Sequence, residues 1–140
     1  MLIKIDIHDN LLTYYKNKIK WLPEPEEKDY PAAKSYLNLI YKIKAAESLE
    51  NKLKEAPVVF FKSKDIFRAS GLSLLGVSNS HVKRDQDKIK EGKALSPILL
   101  VREESLRKLV IADGYHRLCA VYSFNEDEII PCKIVSFKKI

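Results

Sequence analysis

The stretch LVIADGYHRLCAVYSF, residues 109–124, limits what this chain can fold into more than any other. A continuous apolar run, Leu109 to Ala112, stops at Asp113-Gly114. An aromatic, a histidine and an arginine follow, then an apolar-rich run. A short apolar run bounded by a turn signal reads as a buried strand. The residues after the glycine read as a helix from about Tyr115 to Phe124, which puts His116 and Arg117 on its first turn. A buried strand that passes through one glycine into a helix calls for a sheet with a helix packed on it.

The flanking segments continue the pattern. Ser80 or Asn79 caps a helix reaching Glu91, and Gly92 stops it. Ser96-Pro97 leads into the strand ILLV, a polar turn runs from Glu103 to Lys108, and IIPCKIV is the last strand. Upstream, VVFF (58–61) is a further buried-strand candidate. Ser63 caps a brief helix, KDIFRAS, that Gly71 terminates, and LSLLGVSN is a loop.

Before residue 57, LIKIDI (2–7) alternates with period two as an edge-like strand, and residues 10–21 suit a short helix with Trp21 as a packing residue. LPEPEEKD is an exposed connection. A long helix then starts at Asp29 or Tyr30 as cap, with Pro31 in its first turn. Ala33, Leu37, Ile40, Ile43, Leu49 and Leu53 form its apolar stripe, and Pro57 ends it. Lysines and glutamates of both signs on its other side read as a solvated face. The expected fold class is α+β, a small mixed sheet with flanking helices. Residues 1–56 form an N-terminal strand and helical extension, and residues 57–140 the main domain, the two making one folded unit.

Of 140 residues, 46% are hydrophobic and 31% charged, which fits a globular chain. No apolar run approaches the length of a membrane span, and the N-terminus MLIKIDIHDN carries charge early, unlike a secretory leader. Cys119 and Cys132 are far apart and lie in apolar segments, so two buried free thiols in a reducing cytoplasm are expected. The net charge of +6 permits an anionic partner without requiring one, because the lysines are dispersed.

The first turn of the 115–124 helix has the chemistry of an anion site. A helix N-terminus offers backbone N–H groups with no helical acceptor, and its dipole adds partial positive charge. Gly114 permits a sharp turn and close approach of a ligand. Arg117 carries a fork suited to phosphate, and His116 a ring donor that changes charge near neutrality. Tyr115 can stack on a base or cover the core edge. Arg117 is equally suited to an ion pair with Asp113. Asp113 and His116 are the candidate catalytic groups. On the preceding helix His81, Arg84 and Lys88 share one face, either as part of the same cleft or as a solvated surface paired with Asp85 and Asp87. His8 reads as structural.

The helix KIKEGK, the strand SPILLV, the motif DGYHRLCA and the strand IPCKIV together resemble the ParB/sulfiredoxin superfamily over about residues 57–137. Gly114, His116, Arg117 and Ala120 match its central motif. The resemblance implies a ParB-like fold that holds nucleotide phosphates at Gly114, Tyr115, His116 and Arg117, with contacts from the helix bearing His81, Arg84 and Lys88. It implies a nucleoside di- or triphosphate with Mg²⁺ as ligand, and hydrolysis or phosphoryl transfer as the activity. Tyr115 stands where sulfiredoxins carry their catalytic cysteine, which speaks against sulfinic acid reduction. The chain ends after the closing strand, without the helix-turn-helix region of the partition proteins. A DNA-binding or nuclease-like module and a non-catalytic interaction protein with a degenerate pocket are the alternatives. Non-specific nucleic-acid binding stays open, and no membrane partner is expected.

Overall fold

Four strands form one mixed sheet in the order β2-β6-β4-β5: β2 (Val59–Lys62), β4 (Ile98–Glu103), β5 (Lys108–Asp113) and β6 (Ile129–Phe137). β4 and β5 make an antiparallel hairpin, β4 runs parallel to β6, and β2 pairs antiparallel with β6 at the edge. The structure, a computed structural model, describes residues 18–138. The strand expected at 2–7, His8 and most of the helix expected at 10–21 lie outside them. The end of that helix is instead a strand, β1 (Lys20–Trp21), paired in parallel with β3 (Ala94–Leu95). Trp21 packs against the main core, as its size suggests.

Strand alternation sorts the core into two layers. Ile98 and Leu100 of β4 point to one face of the sheet, Leu99 and Val101 to the other, and all four are fully buried. The first face is covered by α3 (Ser63–Ser70), α4 (Ser80–Lys90) and α5 (Tyr115–Phe124), through Ile66, Val82, Ile89, Leu118 and Val121. The second is covered by α1 (Asp29–Ile40) and α2 (Ile43–Glu55), through Ala33, Leu37, Ala46, Leu49 and Leu53. The fold is thus α+β, with helices on both faces of a small mixed sheet. Helices on both faces explain why ILLV and LVIA read as unbroken apolar runs.

Several expectations are corrected. The long helix from Asp29 is two helices, because Tyr41 takes an extended backbone (φ −119°, ψ 160°). Its ring lies 4.4 Å from that of Phe137, and its hydroxyl donates to Glu103 Oε1 at 2.8 Å. The break lets α1 and α2 pack against each other on one sheet face, and it leaves Ile40 and Ile43 of the supposed stripe exposed. VVFF is not a buried strand. β2 is an edge strand with one neighbour, and Phe60 is 64% exposed. Ser63 does not cap α3: its hydroxyl donates to the carbonyls of Asn125 and Glu126. Asn79 does cap α4, accepting from the N–H groups of His81 and Val82, and Gly71 closes α3 in the left-handed region (φ 68°).

Candidate functional site

β5 ends at Asp113, Gly114 turns the chain at φ 111°, and α5 begins at Tyr115. This φ favours glycine, and a side chain there would also collide: an added Cβ would lie 3.0 Å from Arg117 Nη2 and 3.0 Å from Ile98 Cγ1. The space beside Gly114 is therefore filled by Arg117 and Ile98, not kept for a ligand. Leu118 is the first residue of α5 to bond back, to Gly114 O at 2.9 Å. The N–H groups of Tyr115, His116 and Arg117 precede it and have no intrahelical acceptor.

These residues line a polar cleft of about 290 Å³ at the junction of α5, α4, β3 and the start of α1. Every sequence-selected residue lines it: Asp113, Gly114, Tyr115, His116, Arg117, His81, Arg84 and Lys88. The motif residues at the strand-to-helix junction and the three α4 residues selected by helical spacing thus line one cleft. The charged surface of α4 is divided by its own periodicity. Lys83 and Asp87 pair with each other at 3.2 Å on the exposed side, while Asp85 is buried and faces the cleft with His81, Arg84 and Lys88.

Arg117 forms the ion pair that was one of its two readings. Nη2 lies 3.1 Å from Asp113 Oδ2, 3.7 Å from Asp29 Oδ2 and 3.3 Å from the Pro97 carbonyl. Its guanidinium bridges two carboxylates and is not presented as a free fork. Asp29 also accepts a hydrogen bond from the buried Ser96 hydroxyl, a partner 67 positions away. Burial pushes the Asp113 carboxyl up, helped by the charge of Asp29 and opposed by Arg117. Among the described residues no group of three His, Cys, Asp or Glu side chains is arranged to hold a metal ion, and two of the cleft carboxylates, Asp29 and Asp113, are occupied by the Arg117 guanidinium.

The histidines are arranged differently. The rings of His81 and His116 are 4.9 Å apart, and Arg84 Nη2 lies 2.7 Å from His81 Nδ1. A guanidinium only donates, so His81 Nδ1 is the acceptor in this contact. Desolvation holds the His116 pKa below the usual histidine value, and His81, Arg84 and Arg117 push the same way against Asp85. His116 is therefore neutral at pH 7, and an anion beside it would reverse that balance. Tyr115 donates its hydroxyl to the Ser73 carbonyl, tying α5 to the loop after α3.

Neither cysteine belongs to the site. Both are free and buried; burial raises the Cys119 thiol and pushes Cys132 up to about 12. The sequence reading missed Glu26, Lys28, Asp29, Asp85 and Ser96 as cleft residues. Asp29 was read as a helix cap, but it is the first residue of α1 and makes no cap bond. An aspartate at a helix start looks the same in sequence whether it caps or faces a cleft. Asp85 was the one legible omission, since it lies four residues after His81 and three before Lys88, on the helical face they share. Comparison with protein-family models, curated proteins and solved structures finds no match for this chain.

Proposed function

We propose that the cleft binds the phosphates of a nucleoside di- or triphosphate, as the resemblance of the Gly114–Ala120 motif to ParB/sulfiredoxin proteins implies. The observation that carries this reading is that the α5 first turn, whose N–H groups are unbonded, lines one cleft together with Arg84 and Lys88. Such donors complement an oxyanion from several directions. Arg117 acts here by neutralising Asp29 and Asp113, which would otherwise repel the ligand. Because Asp29 and Asp113 are paired with Arg117, a bound Mg²⁺ would be held chiefly by the ligand's phosphates, where it would supply neutralisation of their charge. His116, neutral before the ligand enters and made more basic by the phosphate beside it, is the group placed to take up a proton in hydrolysis or transfer; Asp113 is held by Arg117.

Calorimetric titration of the full chain with nucleoside triphosphates, with and without Mg²⁺, tests this. Arg84→Ala and Lys88→Ala should each weaken binding about tenfold or more, since a charge-assisted hydrogen bond contributes roughly 1.5–3 kcal/mol. Absence of nucleotide binding at millimolar concentration, together with duplex-DNA binding that falls steeply with salt, would overturn the reading in favour of a nucleic-acid module.

A further inference from the structure

The polar cleft has little to offer a flat ring. Its walls are mainly charged or hydrogen-bonding groups, Leu95 is buried at its base, and the Tyr115 hydroxyl is committed to Ser73. Its volume of about 290 Å³ lies at the lower edge of the range for small-molecule sites. A second cavity of about 400 Å³ abuts the same turn and shares Asp113, Gly114, Tyr115 and His116 with the cleft. Its remaining walls are of opposite character: Ala32 and Tyr36 from α1, Leu72 from the loop after α3, and Ile111 and Ala112 from β5.

Tyr36 and Leu72 are 43% and 40% exposed, large apolar side chains that line the same hollow. Single exposed apolar residues are unremarkable; two that line one cavity next to a set of anion donors are a place to put a ring. Asp113 and His116, common to both cavities, supply a carboxylate and an imidazole at the boundary, where the polar edge of a ring or a sugar hydroxyl would need partners.

Resting on the phosphate reading above, we infer that the ligand is bipartite: its phosphates lie in the polar cleft, and a base or comparable flat ring lies in the apolar cavity lined by Tyr36 and Leu72, the two parts joined across the α5 first turn. The ligand class is a nucleoside phosphate, not inorganic phosphate or a sugar phosphate. Recognition of the ring is by stacking and apolar contact, so preference among bases is weak while preference for having a base is strong.

The full chain is titrated with inorganic tripolyphosphate and with four nucleoside triphosphates, then the same is done with Tyr36→Ala and Leu72→Asp. Both positions are exposed, and far-UV circular dichroism checks that each variant keeps its fold. At least one nucleoside triphosphate should bind about tenfold or more tighter than tripolyphosphate, the effect of one stacked ring. Both substitutions should remove that advantage and leave tripolyphosphate binding unchanged. Equal affinity for tripolyphosphate and every nucleoside triphosphate would overturn the bipartite ligand while leaving the phosphate site standing. A nucleotide advantage that survives both substitutions would place the ring elsewhere and overturn it as well. Failure of all five probes to bind would remove the phosphate reading and this inference with it.

Discussion

Arg117 is where the chemistry of single residues is most tightly coupled. Two carboxylates, Asp113 and Asp29, share its guanidinium, and Asp29 is almost wholly buried. Removing one partner of a buried ionic cluster leaves charge without compensation, which costs far more than the cluster contributes against an apolar replacement. Arg117→Ala should therefore destabilise the protein by about 3 kcal/mol, less whatever water reaches Asp113. Adding Asp113→Asn should recover part of that loss, because it removes one stranded charge. Urea unfolding of the two variants checks this, and an Arg117→Ala protein as stable as the wild type would show the cluster to be energetically idle. His116 gives a pH signature. Its folded pKa is depressed, so the unfolded chain takes up the proton first and stability is lost as pH falls from about 6.5 through the lower folded value. Thermal unfolding between pH 7.5 and pH 5 should show a smaller acid loss in His116→Gln than in the wild type. Parallel curves would mean that the shift carries no stability. The sequence made both residues conspicuous but left the role of Arg117 undecided. Its partners come from a strand end and from a distant helix start, and only the fold brings Asp29 alongside.

The elements were legible to the extent that a local signal fixed them. Tyr115–Phe124 could be read as a helix because the turn at Gly114 and the apolar-rich run after it are adjacent in sequence. Asn79 and Gly71 announced their helix ends for the same reason. The break at Tyr41 had no such signal: neither proline nor glycine stands there, and what interrupts the helix is the long-range contact of Tyr41 with Glu103 and Phe137. Tyr41→Phe should thus cost about 1–2 kcal/mol through the lost bond to a buried carboxylate, with Glu103 still held by the Ser105 hydroxyl at 2.6 Å. Equilibrium denaturation reads that difference directly, and an unchanged midpoint would mean the bond is replaced by water. The exposure of VVFF was equally hidden, because an edge strand and a central one can share an apolar sequence and differ only in how many neighbours they have. At the strand-to-helix junction, Gly114→Ala combines an unfavourable positive φ with contacts near 3.0 Å. It should cost about 1–3 kcal/mol and displace Arg117 from Asp113. The displacement is what separates strain from packing. Gly114→Ala should shift the backbone amide resonances of Asp113 and Arg117 in NMR spectra, whereas a remote helix substitution of equal cost should leave them in place.

At the scale of the molecule, the two helical layers are not interchangeable coverings. α1 and α2 bury Leu37, Leu49 and Leu53 against Leu99, Val101 and Val110, closing the second face of a sheet that would otherwise present an apolar surface to water. Burying a leucine side chain stabilises by roughly 1.5–3 kcal/mol, so this layer contributes on the order of 10 kcal/mol before the entropy of ordering it is subtracted. That is comparable with the whole stability of a small domain. Lys133 fastens the same layer from inside: it is almost fully buried on β6, donates to the Lys54 carbonyl at the end of α2 at 3.0 Å, and meets Glu24 at 3.2 Å. The layer also brings Asp29 to the cleft and Tyr36 to the adjoining cavity, so stability and site depend on the same helices. Residues 57–140 produced alone should consequently fail to unfold as a cooperative unit, bind a hydrophobic dye, and show no affinity for nucleotide. Limited proteolysis of the intact chain should find no fragment beginning near residue 57 that survives as a stable product. A 57–140 fragment with a sharp thermal transition would show that the sheet is closed by its other layer alone, and that α1 and α2 are an appendage rather than half of the fold.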